Sequence, residues 1–447
     1  MDAIGEWHAL LRPDEELTPR YTGAFATAMR ARKLTFGQRV HCPFLRPFFL
    51  TSADEARIRV AAETIAAAGE RIIRAAFEND DLFNQLGLTE AEQALVDLEP
   101  GYATASTASR LDAFLLPDSL HFAEYNAESP AGMGYTQRLC ELFDSTETMT
   151  RFRATRDVRF HKVIEAMLDA LMASYKEWGG TATPPTMAIV DWREVPTWTE
   201  FEILRDAFDA AGVPTIVCDP RELVFHNGTL TAQGKRIDLV YRRVLINDIV
   251  SRAAECKPLV DAYAARAVCV ANTFRCKLAH KKAFFAVLTD PVNEPLFTRH
   301  ELAIIHAHVP WTRVLADEDT DKGEWHGSLV ELTRAWREHL VLKPNDEYGG
   351  TGVMLGWEHT DGDWASALDR ALADPWGAWV VQERIPIRRE IFPQFDGTGR
   401  VAMTDMLVDL APYLFRGKMG GYLTRLSGSG LANVTSGGGQ VPAFIVG

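Results

Sequence analysis

The chain has 447 residues, with 47 Lys and Arg against 61 Asp and Glu, for a formal charge of −14. Hydrophobic residues make up 47% and charged residues 24%, which excludes a largely disordered chain and leaves material for two or three domains of about 150 residues each. The acidic balance, with no basic block, argues against nucleic-acid backbone or an anionic membrane as partner, and no apolar run approaches the ~20 residues of a membrane helix.

Residues 1–17 are acidic and mixed, without the basic start and apolar middle of a signal peptide. Cysteines stand at 42, 140, 218, 256, 269 and 276, and no pair has CxxC spacing. They read as reduced, buried thiols of a cytoplasmic protein. Residues 1–50 are aromatic and broken by Pro. Ile58, Ala61, Ile65, Ala68, Ile72 and Ala76 recur every three or four positions, which predicts one long helix over 53–79 with Ser52 as its N-cap. A shorter helix is predicted over 86–96. Residues 110–115 and 121–126 each alternate, with a turn at Pro117-Asp118-Ser119, which predicts a β-hairpin. A helix follows over 157–177.

Beyond a linker at 181–185 the pattern alternates: strand 187–192, helix 200–211, strand 215–219, a small hairpin around Asn227-Gly228, strand 237–243, helix 257–267 and strand 268–271. This predicts a small α/β domain with a mostly parallel sheet. It lacks GxGxxG after its first strand, which argues against a dehydrogenase. From 277 onward the expectations are a helix over 278–288 carrying Lys281-Lys282, strands at 340–344 and 353–356, a helix over 364–373, and strands at 379–384, 401–408 and 413–416. An apolar last strand is expected within 441–446.

Several constellations carry chemistry. Lys343 ends a strand and is followed by a loop, 345–351, whose glycines and backbone N–H groups suit a polyphosphate; the alternative is a surface hairpin loop. Lys282 would be a second phosphate cation or a solvated helix end. The buried strand 379–383 ends in Gln382-Glu383, which could offer a backbone edge to a purine or simply run out into solvent. Asp112, Glu124 and Asn126 are hard oxygen ligands of the kind Mg²⁺ takes, and Arg110 lies two residues from Asp112 on the same strand face; the alternative is a solvated hairpin face. Residues 425–439 are Gly- and Ser-rich, either a floppy tail or a structured loop aiming Arg425 and Asn433 into a site. Arg242 and Arg243 end a strand and could hold an anionic substrate.

Together these motifs resemble the circularly permuted ATP-grasp family, including the synthetase part of glutathionylspermidine synthases. Arg110-Leu111-Asp112 and Glu124-Tyr125-Asn126-Ala127 carry the resemblance most specifically. It implies Asp112, Glu124 and Asn126 on Mg²⁺, Arg110 facing the transferring phosphate, Lys282 and Lys343 on ATP, and Gln382-Glu383 at the adenine hinge. Tyr348, Gly349, Gly350, Thr351 and Gly352 would form the flap. In most ATP-grasp chains the metal carboxylates follow the lysines; here they come first, as permutation predicts. The implied layout is a helical region plus the metal-binding half over 1–180, a small α/β pre-ATP-grasp-like domain over 181–276, and the ATP-binding lobes over 277–447. The implied activity is an ATP- and Mg²⁺-dependent carboxylate–amine ligase acting through an acyl phosphate on small-molecule or peptide substrates. The chain has no room for the Cys-dependent amidase of the bifunctional synthases, and 425–439 looks closer to the broader permuted group. The rival expectations are a non-catalytic nucleotide-binding scaffold and phosphoryl transfer to another acceptor.

Overall fold

The protein is represented by a computed structural model that describes residues 2–37, 39–347, 349–374, 378–428 and 438–447. Two helices open it, α1 (Ala3–Leu10) and α2 (Pro19–Ala31). Helix α3 (Ser52–Ala76) buries the predicted stripe from Ile58 to Ala76. Its cap is Thr51 rather than Ser52: the Thr51 hydroxyl accepts from the Asp54 N–H at 3.0 Å while the Asp54 carboxylate accepts from the Thr51 N–H at 3.3 Å. Gly69 lets α3 lie close to the hairpin that follows, since a Cβ there would stand 3.3 Å from the Tyr125 ring. The helix expected over 86–96 is two, Asp80–Gln85 and Glu90–Val96. Gly87 separates them at φ +67°, where helix cannot continue.

The predicted hairpin forms as β1 (Ala108–Leu115) and β2 (Leu120–Asn126), with Arg110 opposite Asn126 and Asp112 opposite Glu124. Helix α4 (Val163–Trp178) starts later than expected, because Val158–Arg159 is a strand. The α/β segment follows its prediction closely, with β3 (Met187–Val190), α5 (Trp198–Ala210), β4 (Thr215–Cys218), β5 (Leu239–Arg242) and β6 (Cys269–Ala271). Its four strands pair in the order β6-β5-β3-β4, all parallel and all buried.

The helix expected over 278–288 breaks at Lys281-Lys282 into Cys276–His280 and α6 (Ala283–Thr289). A four-stranded antiparallel sheet follows, ordered β7-β10-β8-β9, from β7 (Thr312–Val314), β8 (Leu340–Pro344), β9 (Met354–Leu355) and β10 (Trp379–Glu383). The last strands are β11 (Arg388–Phe395), β12 (Val401–Phe415), β13 (Lys418–Ser427), β14 (Gly439–Val441) and β15 (Ala443–Val446). Strand β11 was not foreseen. The two strands expected at 401–408 and 413–416 are one, β12, which absorbs an irregularity between Tyr413 and Leu414.

The largest sheet joins both ends of the chain. Its order is β14-β13-β12-β1-β2, with β11 paired to β12. The early hairpin thus docks on strands that come some 300 residues later, Arg110 lying opposite Tyr413. Strand β15 runs parallel to Phe48–Thr51 and antiparallel to Val158–Arg159. Buried Asn272, just after β6, accepts from the Ala108 N–H at 2.9 Å and donates to the Ala108, Ala127 and Glu128 carbonyls at 2.7 to 2.9 Å. It ties the hairpin to the parallel sheet.

Candidate functional site

One cleft of about 190 Å³ lies between the large sheet and the β7-β10-β8-β9 sheet. On the large-sheet wall, Arg110 Nε donates to Asp112 Oδ1 at 2.8 Å. Arg425, across β12 and β13 from Asp409, reaches both Asp409 and Asp112. Asp409 also accepts from the Ala113 N–H at 3.3 Å, beside the bulge that follows Asp112. Two guanidiniums and two carboxylates therefore form one buried quartet. Burial alone would raise Asp112, yet Arg110 and Arg425 hold it well below the usual carboxylate range. Burial pushes Asp409 the other way, with the Asp112 charge adding to it. Glu124 and Asn126 line the same cleft from β2.

On the facing wall, Lys343 Nζ donates to Gln382 Oε1 at 2.6 Å and to the Ala123 carbonyl at 3.2 Å. Neither partner is an anion, and desolvation brings the Lys343 ammonium down to about 8. Lys282 caps α6, 3.5 Å from Glu124 Oε1, and donates to the Glu347 carbonyl. The loop after β8 is anchored at its root. Asn345 accepts from the Ala283 N–H at 2.8 Å, and Asp346 takes Lys277 at 2.8 Å and Lys281 at 2.7 Å. Lys281 thus faces away from the cleft, with Glu92 as its second partner at 2.9 Å. Gly349 and Gly350 line the cleft; Thr351 and Gly352 are exposed and do not. Tyr348 and Asn433 lie outside the described residues.

Two expectations change. Strand β10 is flanked on both sides, Gln382 facing Thr312 of β7 and Val341 of β8, so its backbone edge is closed to a purine. The Glu383 N–H donates to the Trp311 carbonyl and the Arg384 N–H to the His339 carbonyl, both at 2.8 Å. Among the described residues, the first backbone N–H past β10 without such a bond is that of Ile385, which lines the cleft. The Gln382 side chain orients Lys343, and the Glu383 carboxylate meets Lys322 at 2.9 Å. Arg242 does not reach the cleft. It is fully buried, donates to Glu128 at 3.1 Å and to the Val244 carbonyl at 2.7 Å, and lies against the Phe274 ring.

Asp409 is a charged site residue that sequence reading missed. It is the one charged residue of the run 406–415, a signal that was present. The donor set for a hard cation is the carboxylates of Asp112 and Glu124 and the Oδ1 of Asn126. Among the described residues no three His, Cys, Asp or Glu side chains converge on a metal-sized space, so the set is two carboxylates and an amide. Cross-strand pairing puts Asp112 and Glu124 side by side, and a carboxylate has lone pairs beyond those the arginines take, so the residues fit Mg²⁺. No helix of the described residues is long and apolar enough to cross a membrane, and all six cysteines are buried free thiols.

No family model matches the chain, and no curated protein does. Among solved structures, a glutathione synthetase-like effector from Globodera pallida matches with a TM-score of 0.63 at 12% identity, covering 97% of this chain and 98% of that one. A protein named as a gamma-glutamylcysteine synthetase from Methylobacillus flagellatus gives 0.41 at 10% identity over 86% and 85% of the two chains. D-alanyl-alanine synthetase A from Vibrio cholerae gives 0.27 at 11% identity over 51% of this chain and 68% of that one. The latter two likenesses are too distant to carry an argument. The first shows that this chain has the mixed α+β fold of a glutathione synthetase-like protein.

Proposed function

We propose that the cleft binds ATP with Mg²⁺ and that the protein is a carboxylate–amine ligase of the circularly permuted ATP-grasp type. The observation that carries this reading is the convergence, in one cleft, of Lys282 and Lys343 with Arg110, Asp112, Glu124 and Asn126, from segments scattered over most of the chain. The permuted reading is supported by the β1–β2 hairpin, which precedes the lysines in sequence yet joins the sheet of β12, which follows them, through the pairing of β1 with β12. In this reading 1–180 supplies the helical region and the metal-binding half, 181–276 the pre-ATP-grasp-like unit and 277–447 the ATP-binding lobes. The likeness of the motifs to glutathionylspermidine synthase supports the ligand set and does not select a substrate.

A carboxylate oxygen attacks the γ-phosphorus, ADP leaves, and an acyl phosphate forms. An amine nitrogen then attacks the acyl carbon, the bond to the phosphate oxygen breaks, phosphate leaves with the electron pair and the amine loses a proton. The protein's part is alignment and charge. Lys343 and Lys282 hold phosphate oxygens, and Arg110 and Arg425 face the group in transfer. The segment around Gly349 and Gly350 closes over the acyl phosphate and keeps water from it. Asp112, Glu124 and Asn126 would hold Mg²⁺, which offsets phosphate charge. The backbone of Ile385 offers the base its hydrogen bonds, and Val341, Leu355 and Trp357 give it apolar walls.

Titration calorimetry tests this directly. MgATP should bind the wild type, and either EDTA or Lys343→Ala should weaken binding by about tenfold or more, as loss of a charge-assisted contact does. A wild type that does not bind MgATP would overturn the reading. Binding without ADP release on adding acids and amines would favour the scaffold.

A further inference from the structure

Val380 and Val381 of β10 are fully buried, and the next residue, Gln382, buries a polar amide beside them. A buried amide is costly unless its donors and its acceptor are paired, so the direction of its hydrogen bonds matters. The register brings the partners within reach. Gln382 stands directly opposite Thr312 of β7 on one side and Val341 of β8 on the other. Lys343 is two residues beyond Val341, so Thr312, Gln382 and Lys343 share one face of the sheet. Gln382 and Lys343 line the cleft, while Thr312 is fully buried and outside its lining.

The hydrogen bonds among the three run one way. An ammonium only donates, so Lys343 takes the Oε1 of Gln382, at 2.6 Å, and the amide turns its Nε2 to the other side. Nε2 donates to Thr312 Oγ1 at 3.1 Å, and the Thr312 hydroxyl gives its only proton to the Pro310 carbonyl at 2.9 Å. Thr312 therefore accepts from Gln382 and cannot donate to it, so both ends fix the amide in the same sense. The Thr312 backbone is held in turn, its N–H donating to Thr289 Oγ1 at 3.1 Å. Thr289 is the last residue of α6, the helix that Lys282 caps at its other end. One helix thus carries Lys282 and braces the residue that aligns Lys343.

An amide oxygen bears only a partial charge. It aims the ammonium without neutralising it, so an entering phosphate still meets a full positive charge. A carboxylate in its place would also orient Lys343, but it would cancel the charge that the phosphate needs. The other charged groups acting on Lys343 are Glu124 of β2 and Asp112 of β1, which favour its charge, and Lys282, which opposes it.

Resting on the ligase reading, we propose that Thr312 and Gln382 are positioning residues of the nucleotide site. Thr312 fixes the direction of the Gln382 amide, and the amide holds the Lys343 ammonium toward the phosphates with a dipole in place of a counter-charge.

The test reads Lys343 itself, first without nucleotide. NMR of protein labelled with ¹³Cε-lysine follows its titration, the Lys343 signal being identified by its loss in Lys343→Arg. The wild-type midpoint should lie near 8. Gln382→Glu should raise it by about 1 pH unit or more, and Gln382→Leu, which suits the apolar strand, should lower it by about 1. Thr312→Val keeps the shape and removes the hydroxyl; it should lower the midpoint by about 0.5, and Thr312→Ser should restore the wild-type value. MgATP titration at pH 7 and pH 9 then reads the consequence. Wild-type affinity should fall by about tenfold between them, whereas Gln382→Glu should bind about tenfold more weakly at pH 7 and show no such fall. Midpoints within about 0.2 of wild type in folded Gln382→Leu and Thr312→Val would overturn the proposal, because the amide and hydroxyl would then only fill the sheet. So would a Gln382→Glu affinity within about twofold of wild type at pH 7. A wild type that binds no MgATP while the midpoints move as expected would overturn the ligase reading and leave the hold on Lys343 standing.

Discussion

On the wall built by β1, β12 and β13, Arg110 and Arg425 neutralise Asp112 and Asp409 within one buried quartet. On the facing wall, Lys343 has an amide oxygen and a carbonyl for partners, and its ammonium is destabilised by burial. The first wall is internally balanced, so each of its charges depends on the others. The second holds a cation short of counter-charge, which is the state an incoming phosphate would relieve. Both walls are polar and buried; what separates them is whether the compensating charge belongs to the protein.

The largest expected effect follows from breaking that balance. Arg425→Ala leaves Asp112 and Asp409 buried together without their bridging cation, and should lower unfolding stability by about 3–5 kcal/mol. Urea denaturation measures it, and a stability within about 1 kcal/mol of wild type would show the quartet to be well hydrated. The next effect is a pH dependence on the other wall. Lys343 at about 8 lies below its unfolded value of about 10.4, so the unfolded chain binds the extra proton between them. The ligand-free protein should therefore gain stability as pH rises from about 8 to about 10.4, while MgATP affinity falls by about tenfold per pH unit above 8. Lys343→Arg, which stays charged, should remove both trends. The smallest effect is at the hinge. The Glu383 side chain is 43% exposed and pairs with Lys322, so Glu383→Gln should change stability by less than about 1 kcal/mol. Its MgATP affinity should stay within about threefold if, as proposed, the base is read by backbone beyond β10. A loss of tenfold or more would return the adenine contact to the Glu383 carboxylate.

Much of the cleft was legible in the residues. Alternation over 110–126 gave the hairpin, and the side chains of Arg110, Asp112, Glu124, Asn126, Lys282 and Lys343 all line the cleft. The strand–helix alternation of 187–271 gave a parallel sheet because apolar strands of three or four residues separated by amphipathic helices have few other ways to bury themselves. What failed depended on neighbours. Gln382-Glu383 looked like an open edge because nothing local shows that β7 and β8 flank β10. Arg242 looked like a contact for an anionic substrate, and Glu128, 114 residues away, seals it. Of the pair Lys281-Lys282 only Lys282 was read as a phosphate cation, and the break in the helix turns Lys281 to Glu92 and Lys282 to the cleft.

By itself the sequence determined the periodicities, hence which face of each helix and strand is buried, and which residues bring charge. Only the tertiary structure decided that Arg425 closes on Asp112, 313 residues away, and so made Asp409 part of the site. A strand's period of two says which side chains point inward and nothing of which strand lies alongside. The entropy of closing a loop grows only with the logarithm of its length, so a partner hundreds of residues away is nearly as accessible as a close one and leaves no mark in the local pattern.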